Sequence, residues 1–140
     1  MFDQYRLQRF VSAQDNGVYR AALAELSGGR KAGHWMWFIF PQIAGLGLSS
    51  VSRKYAISSL REAQVYLAHP VLGPRLLECA HALVDLDESD AVRVLGYTDA
   101  LKLRSSMTLF GRAAPAEPLF QCVLDKYFSG QPDLATLDRL

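Results

Sequence analysis

One twelve-residue stretch holds most of the side chains in this sequence that could bind or react with a ligand. It runs from Lys31 to Gln42 and contains two tryptophans, two phenylalanines, a histidine and a lysine. Aromatic walls with one imidazole and one cation suit a planar, anionic ligand such as a nucleotide. We therefore predict ligand contacts from Lys31, Trp35, Trp37 and Gln42. His34, at the polar edge of the cluster, is a candidate acid or base.

The same aromatic residues also have a purely structural interpretation. Residues 35–40 are six consecutive hydrophobic residues, and such rings can fill the core of a small helical domain without contacting any ligand. The sequence alone leaves both interpretations open.

A second candidate segment begins near Asp99. On a helix, Asp99, Lys102 and Ser106 share one face. Lys102, Arg104 and the hydroxyls of Ser105 and Ser106 are predicted to bind an anion, with Asp99 as a base or an orienting partner. The alternative is an i,i+3 ion pair between Asp99 and Lys102 on a solvated helix face.

The loop from Gly45 to Ser52 is a weaker signal. Its glycines are followed by serines, and such a turn can present backbone N–H groups and hydroxyls to a phosphate. A plain loop with a serine that caps the following helix explains the same residues.

Several kinds of chemistry lack their usual signatures. The sequence has no Walker loop, no Gly-x-Ser-x-Gly elbow, no Cys-x-x-Cys pair and no His-Glu-x-x-His. Its three histidines, His34, His69 and His81, are not paired at ligand spacing. We therefore predict no metal site and no cofactor.

Length and composition set further bounds. The 140 residues suit one domain, residues 1–140, and a hydrophobic share of 50% with 21% charged residues is typical of globular proteins. A formal net charge of +1 gives no global attraction to nucleic acid or to an anionic membrane. The expected partner is therefore a small anionic metabolite, and the oligomeric state stays open.

The sequence also carries signals of compartment. The N-terminal residues lack the basic-then-apolar pattern of a secretory signal. Cys79 and Cys122 lie on predicted apolar helix faces, where they resemble small buried hydrophobic residues of a reducing compartment. We predict a cytoplasmic protein.

Hydrophobic periodicity predicts an all-α fold, a single compact bundle of about seven to nine mostly short helices with an ordered aromatic-rich loop. The aromatic segment is expected to form a short helix that ends at Trp37 and is followed by an ordered loop, and a strand over residues 35–40 is the alternative. The predicted helix-capping residues are Asp15 or Asn16, Ser59 in a capping box with Glu62, Asp87 or Ser89, Thr98 or Asp99, and Asp133.

Several segments along the chain match the pattern of one known family. They are Arg9–Val11 with Ala13-Gln14, His34–Gln42, Gly45–Gly47, His69-Pro70 with Leu72-Gly73, Leu101–Phe110 and Leu124–Phe128. Through them the chain resembles, over nearly its whole length, a bacterial family of unknown function, DUF1810. The resemblance implies an all-helical fold and no assigned activity. The label "calpastatin" that some members carry fits poorly, because calpastatin-type inhibitors are disordered and this chain has a core.

The chain is also faintly similar to helical N-glycosidases that act on ADP-ribose conjugates and phosphoribosyl intermediates. This similarity lies in Leu103, Arg104 and Met107 and in the helix near Leu124–Phe128. It implies a class of ligand and no catalytic residue.

Two functional hypotheses follow. In the first, the protein binds or processes a phosphorylated or nucleotide-like metabolite, which requires segments 31–42 and 99–106 to meet at one cleft. In the second, it is a non-catalytic interaction or regulatory module with an exposed apolar patch in place of a deep pocket.

Overall fold

The computed structural model describes residues 3–140, and these form ten helices joined mostly by short loops. The predicted all-α fold is confirmed, with slightly more helices than expected. The helices are α1 (Gln8–Ala13), α2 (Val18–Ser27), α3 (Met36–Ile39), α4 (Ser50–Lys54), α5 (Leu60–Ala68), α6 (Leu72–Asp85), α7 (Ala91–Leu95), α8 (Tyr97–Ala113), α9 (Leu119–Phe128) and α10 (Leu134–Leu137).

Helix α8 is the central element of the bundle. It packs against α5, α7, α9 and α10, and most of its residues from 103 to 110 are buried. A line of aromatic rings crosses the core from α1 through α5 and α8 to α9. The ring centroids of Phe10 and Tyr66 are 5.1 Å apart, those of Tyr66 and Phe110 are 5.3 Å apart, and those of Phe110 and Phe120 are 6.0 Å apart. Since α8 is fixed by this core, the polar residues in its first turns are held in place.

Several predicted helix ends are confirmed. The Ser59 hydroxyl caps α5 by accepting a hydrogen bond from the Glu62 N–H at 3.1 Å. The Glu62 carboxylate accepts from the backbone N–H of Ser58 at 2.9 Å, one residue before the cap. Asp133 caps α10.

Two other predicted capping pairs are wrong. Neither Asp15 nor Asn16 caps α2, because Gly17, at φ 83°, turns the chain directly into the helix with no side-chain cap. Neither Asp87 nor Ser89 caps α7, because the carboxylate of the later residue Asp90 accepts from the backbone N–H of Val92.

The start of α8 is also different from the prediction. Thr98 and Asp99 do not cap it, since the helix begins at Tyr97 directly after Gly96, which lies at φ 87°. This places Asp99 inside the first turn, where a negative charge interacts favourably with the helix dipole.

The aromatic segment forms the predicted short helix followed by an ordered loop. Within residues 3–140, β pairing is limited to one bridge between Ile43 and Ile57. Cys79 is buried as predicted, but Cys122 is exposed, because it lies on the outer face of α9. None of the helices in the described part of the chain combines the length and the hydrophobicity needed to cross a bilayer.

Candidate functional site

The two segments singled out by sequence meet around the carboxylate of Asp99. Lys31 Nζ lies 2.8 Å from one oxygen of Asp99, and Lys102 Nζ lies 3.0 Å from the other. All three side chains are largely buried, with exposed fractions of 9% for Lys31, 17% for Asp99 and 19% for Lys102. The ion pair between Asp99 and Lys102 is therefore part of a largely buried triad that carries one net positive charge.

Each lysine of this triad also lies over a tryptophan ring. Lys102 Nζ is 4.9 Å from the centroid of Trp37, and Lys31 Nζ is 5.1 Å from that of Trp35. These distances fall within the range of cation–π attraction, which is strongest for tryptophan. The contacts join the start of α8 to the aromatic segment.

Glu25, near the end of α2, fixes the loop that carries Lys31. Its Oε1 accepts hydrogen bonds from the backbone N–H groups of Ala32 at 2.6 Å and Gly33 at 2.8 Å, and from Trp35 Nε1 at 2.9 Å. Burial by itself would raise the pKa of Glu25, but these three donors outweigh it and hold the pKa below its ordinary value. Glu25 therefore stays ionised and sets the orientation of Trp35.

The environment of Asp99 favours its ionised form. Partial burial acts to raise the pKa of Asp99, but the hydrogen bonds and positive charges of Lys31 and Lys102 prevail and lower it. A carboxylate with a lowered pKa and both oxygens occupied is a weak base at neutral pH. Asp99 is therefore better suited to orienting the ammonium groups of Lys31 and Lys102 than to accepting a proton.

We expect Asp99→Asn to lower the free energy of unfolding by about 2 kcal/mol at pH 7, since two half-buried ammonium groups lose their counter-charge. Because the folded pKa of Asp99 is lowered, its contribution is present above the ordinary value of 3.8 and is lost as the pH falls through the lower folded value. Urea unfolding of both proteins between pH 7 and pH 2.5 should show the difference shrinking in acid. A difference that persists unchanged at pH 2.5 would exclude the carboxylate as its source.

A cavity of about 210 Å³ opens beside Trp37. The ring of Trp37 forms part of its wall and also contacts Lys102, so Trp37 joins the cavity to the charged triad. The remaining lining comes from the loop after α3 and from α4 and the residues that follow it. The lining residues are Trp37, Gln42, Ile43, Ala44, Gly45, Gly47, Ser52, Arg53, Tyr55 and Ala56.

The far wall of the cavity is anchored by Arg9 of α1. Its guanidinium donates to the carbonyls of Lys54 at 2.8 Å and Ala56 at 2.9 Å. The same group forms an ion pair with buried Glu62 at 3.1 Å. Residues 54–56 are therefore held against α1 and α5, and the wall is built in advance of any ligand.

Three predicted anion contacts of α8 lie elsewhere in the structure. Arg104 donates to the backbone carbonyls of Gln131 and Pro132, both at 3.0 Å, and so holds the segment before α10. The Ser105 hydroxyl is buried and donates to Leu101 O at 3.2 Å. Ser106 is fully buried, and its Oγ has no hydrogen-bond partner among residues 3–140. The cause is that these side chains face the bundle, away from the start of α8.

The structure also separates the residues predicted in segment 31–42. Gln42 and Trp37 line the cavity, and Lys31 lies in the triad. Trp35 is 3% exposed and bonded to Glu25, so it supports the loop from inside the core. His34 is exposed, and its imidazole makes no hydrogen bond within the described residues.

Sequence reasoning missed three residues of this site. Glu25 gave no signal, because a lone acid on the polar face of a helix looks like any solvated charge. Arg53 and Tyr55 follow the Gly-Ser loop that ends at Ser52, and the pattern of that loop did mark this region as a weak phosphate-binding candidate.

The comparisons with known proteins identify relatives whose function is unknown. The family model "Protein of unknown function (DUF1810)" matches residues 4–140. The crystal structure of the conserved hypothetical protein Rv1873 from Mycobacterium tuberculosis is similar to this chain, with a TM-score of 0.96 and 49% identity. The match covers 99% of this chain and 98% of that chain. No curated protein matches the sequence.

Proposed function

The chain belongs to the DUF1810 family of proteins of unknown function, and from its own site we propose that it binds a small phosphorylated or nucleotide-like metabolite at Trp37. The observation that carries this proposal is the position of Trp37 between an open cavity and the cationic triad. A planar ring in the cavity would pack against the indole, and its anionic groups would lie near the cations.

The charges around the cavity favour an anionic ligand. Arg53 lies in the wall, and Lys31 and Lys102 share the single negative charge of Asp99. Two ammonium groups with one carboxylate leave one positive charge in a partly desolvated position, where it attracts an anion more strongly than in water. The alternative to an anion site is an ordinary surface ion pair with no net charge. Such a pair requires one lysine beside Asp99, and the structure has two.

The size of the cavity limits the ligand. A volume of about 210 Å³ is smaller than the several hundred cubic ångströms typical of pockets for drug-sized ligands. It suits one ring or one sugar phosphate. An ADP-ribose-related ligand would place one end in the cavity and the rest outside it. Gln42 can donate to and accept from a ring edge, which makes it the candidate for specificity.

Within this proposal, Asp99 orients Lys31 and Lys102 rather than removing a proton. His34 remains the candidate acid or base if the protein is an enzyme, since an exposed imidazole on the loop of Lys31 is free to meet a ligand.

The test is a thermal-shift screen against nucleotides, ADP-ribose, NAD and sugar phosphates. A ligand that binds only the folded protein raises its stability by about 2.7 kcal/mol at a hundredfold excess over its dissociation constant. We expect a reproducible rise in Tm with at least one anionic compound. The rise should disappear in Trp37→Ala and in Lys102→Ala, because these variants remove the ring and the triad cation that lies over it.

Two matched variants control for general effects of truncation. Tyr97→Ala removes an exposed aromatic ring at the start of α8, and Arg93→Ala removes an exposed cation. Both should keep the full ligand shift. A shift unaffected by Trp37→Ala would place the ligand somewhere other than this cavity. Loss of the shift in all four variants would show that the loss does not report contacts in the cavity.

A second candidate function, a non-catalytic interaction module, is favoured by one observation. Val92, Tyr97 and Leu101 are 47%, 69% and 48% exposed and border a shallow groove between α7, α8 and the end of α9. Exposed apolar side chains that cluster in this way are typical of protein contacts. A protein that melts cooperatively and shifts with no compound would favour this function over metabolite binding.

A further inference from the structure

A second cavity, of about 440 Å³, lies where the turn between α1 and α2 faces α6. It shares no lining residue with the cavity at Trp37. Its walls are mostly polar, and they carry two cations and two anions. The lining residues are Gln14, Asp15, Asn16, Gly17, Tyr19, Arg20, Leu23, Arg75 and Glu78.

Arg75 is held rigidly in the wall of this cavity. Its Nη1 donates to Gln14 Oε1 at 3.2 Å, and its guanidinium carbon lies 4.6 Å from the centroid of the Tyr19 ring. Gln14 is itself 3% exposed and fixed by a hydrogen bond from its Nε2 to the Phe38 carbonyl at 2.8 Å. Arg75 forms no ion pair within residues 3–140. The guanidinium is thus preorganised, with donors left for a ligand.

Glu78 is held by a different partner. One of its carboxylate oxygens accepts a hydrogen bond from the Tyr19 hydroxyl. Its other oxygen accepts no hydrogen bond from the described residues. Tyr19 is buried and lies under the guanidinium of Arg75, so one ring positions both charged groups.

Arg75 and Glu78 carry opposite charges three residues apart on α6, yet they form no ion pair. Residues three apart on a helix are neighbours, and opposite charges at that spacing normally pair. Arg75 and Glu78 do not pair, because Gln14 and Tyr19 hold them apart. Two fixed, opposite charges facing one cavity match a small ligand that carries a positive and a negative group close together.

We propose that this cavity binds a small zwitterion of the α-amino-acid class. The ligand carboxylate lies against the guanidinium of Arg75, whose planar fork matches a carboxylate. The ligand ammonium lies against the free oxygen of Glu78. Arg20 and Asp15, the other charged groups of the wall, balance each other and leave the cavity neutral overall. Leu23 offers an apolar contact for the ligand side chain.

The experiment uses L-leucine and two analogues that each lack one charge. Calorimetry and the NMR shift of the Arg75 side-chain Nε–H follow the addition of L-leucine, 4-methylpentanoate or 3-methylbutylamine to the whole protein. We expect saturable binding of L-leucine and at least tenfold weaker binding of both analogues. Equal binding of 4-methylpentanoate and L-leucine, or no saturable binding of L-leucine, would overturn the proposal.

Variants separate the two charged contacts. Arg75→Gln and Glu78→Gln should each weaken L-leucine binding at least tenfold, and Arg93→Gln, at an exposed arginine outside the cavity, should leave it unchanged. Glu78 is exposed, so its variant should fold even if Arg75→Gln does not. L-Leucine binding that survives in folded Glu78→Gln contradicts the proposed ammonium contact.

Discussion

Glu62→Ala is expected to lower the free energy of unfolding by about 3–5 kcal/mol, the cost of breaking a buried ion pair by removing one partner. Glu62 is 2% exposed and accepts from Arg9 at 3.1 Å and from the Ser58 hydroxyl at 2.7 Å. Its loss leaves the half-buried guanidinium of Arg9 without a counter-charge and the Ser58 backbone N–H without its acceptor. Urea unfolding at pH 7 would measure the effect as a lower midpoint.

The matched control is Glu88→Ala. Glu88 also pairs with an arginine, Arg93, but at 3.8 Å and at the surface, where an ion pair contributes about 0–1 kcal/mol. Since Arg9 also holds residues 54–56, Glu62→Ala should weaken binding at the Trp37 cavity as well. Equal destabilisation by the two alanine variants would show that the Arg9–Glu62 pair does not anchor the cavity wall.

Gly73→Ala is expected to destabilise the protein by about 3 kcal/mol, at the upper end of the cost of overpacking. A Cβ atom on Gly73 would lie 2.1 Å from the carbonyl oxygen of Leu67, which belongs to the backbone of α5. A flexible side chain could move away from such a contact, but a helix carbonyl moves only with its helix. The substitution therefore forces α5 and α6 apart, and thermal unfolding should show a lower Tm.

Gly111 is a matched control within the same fold. A Cβ atom there would lie 3.8 Å from Phe120 Cβ, an ordinary contact, and the residue is inside α8. Gly111→Ala should be neutral or stabilise the protein by up to about 1 kcal/mol, because alanine favours the helix. If both alanine variants have the same stability, the close approach at Gly73 is not a constraint on the fold.

The sequence predicted the helices well, because their signals are local. The apolar face of α6, from Leu72 to Leu83, and the cap of α5 at Ser59 each depend on residues within a few positions of each other. Two of the three failed caps, those at the starts of α2 and α8, had a common cause. Gly17 and Gly96 turn the chain through positive φ, and nothing in the sequence distinguished these glycines from the polar residues beside them that also favour caps.

The site was predicted only in part, because its geometry depends on packing between distant elements. Lys31, Asp99 and Lys102 were singled out by residue type, yet only tertiary structure shows that one carboxylate joins two lysines. Arg104 and Ser106 are of residue types that often bind anions, but they do not lie at this site. The packing of the bundle around α8 decides which way these two side chains point. Helical periodicity over so few polar residues could not predict that direction.

The most direct test of metabolite binding at Trp37 is a titration of tryptophan fluorescence. The chain has two tryptophans, of which Trp35 is buried and Trp37 lines the cavity. The compound that gives the largest thermal shift should change the fluorescence of the wild-type protein in a saturable way. The change should vanish in Trp37→Phe, which keeps Trp35 as the remaining reporter. An equal change in Trp37→Phe, or none in the wild type, would contradict the proposal that the ligand lies against Trp37.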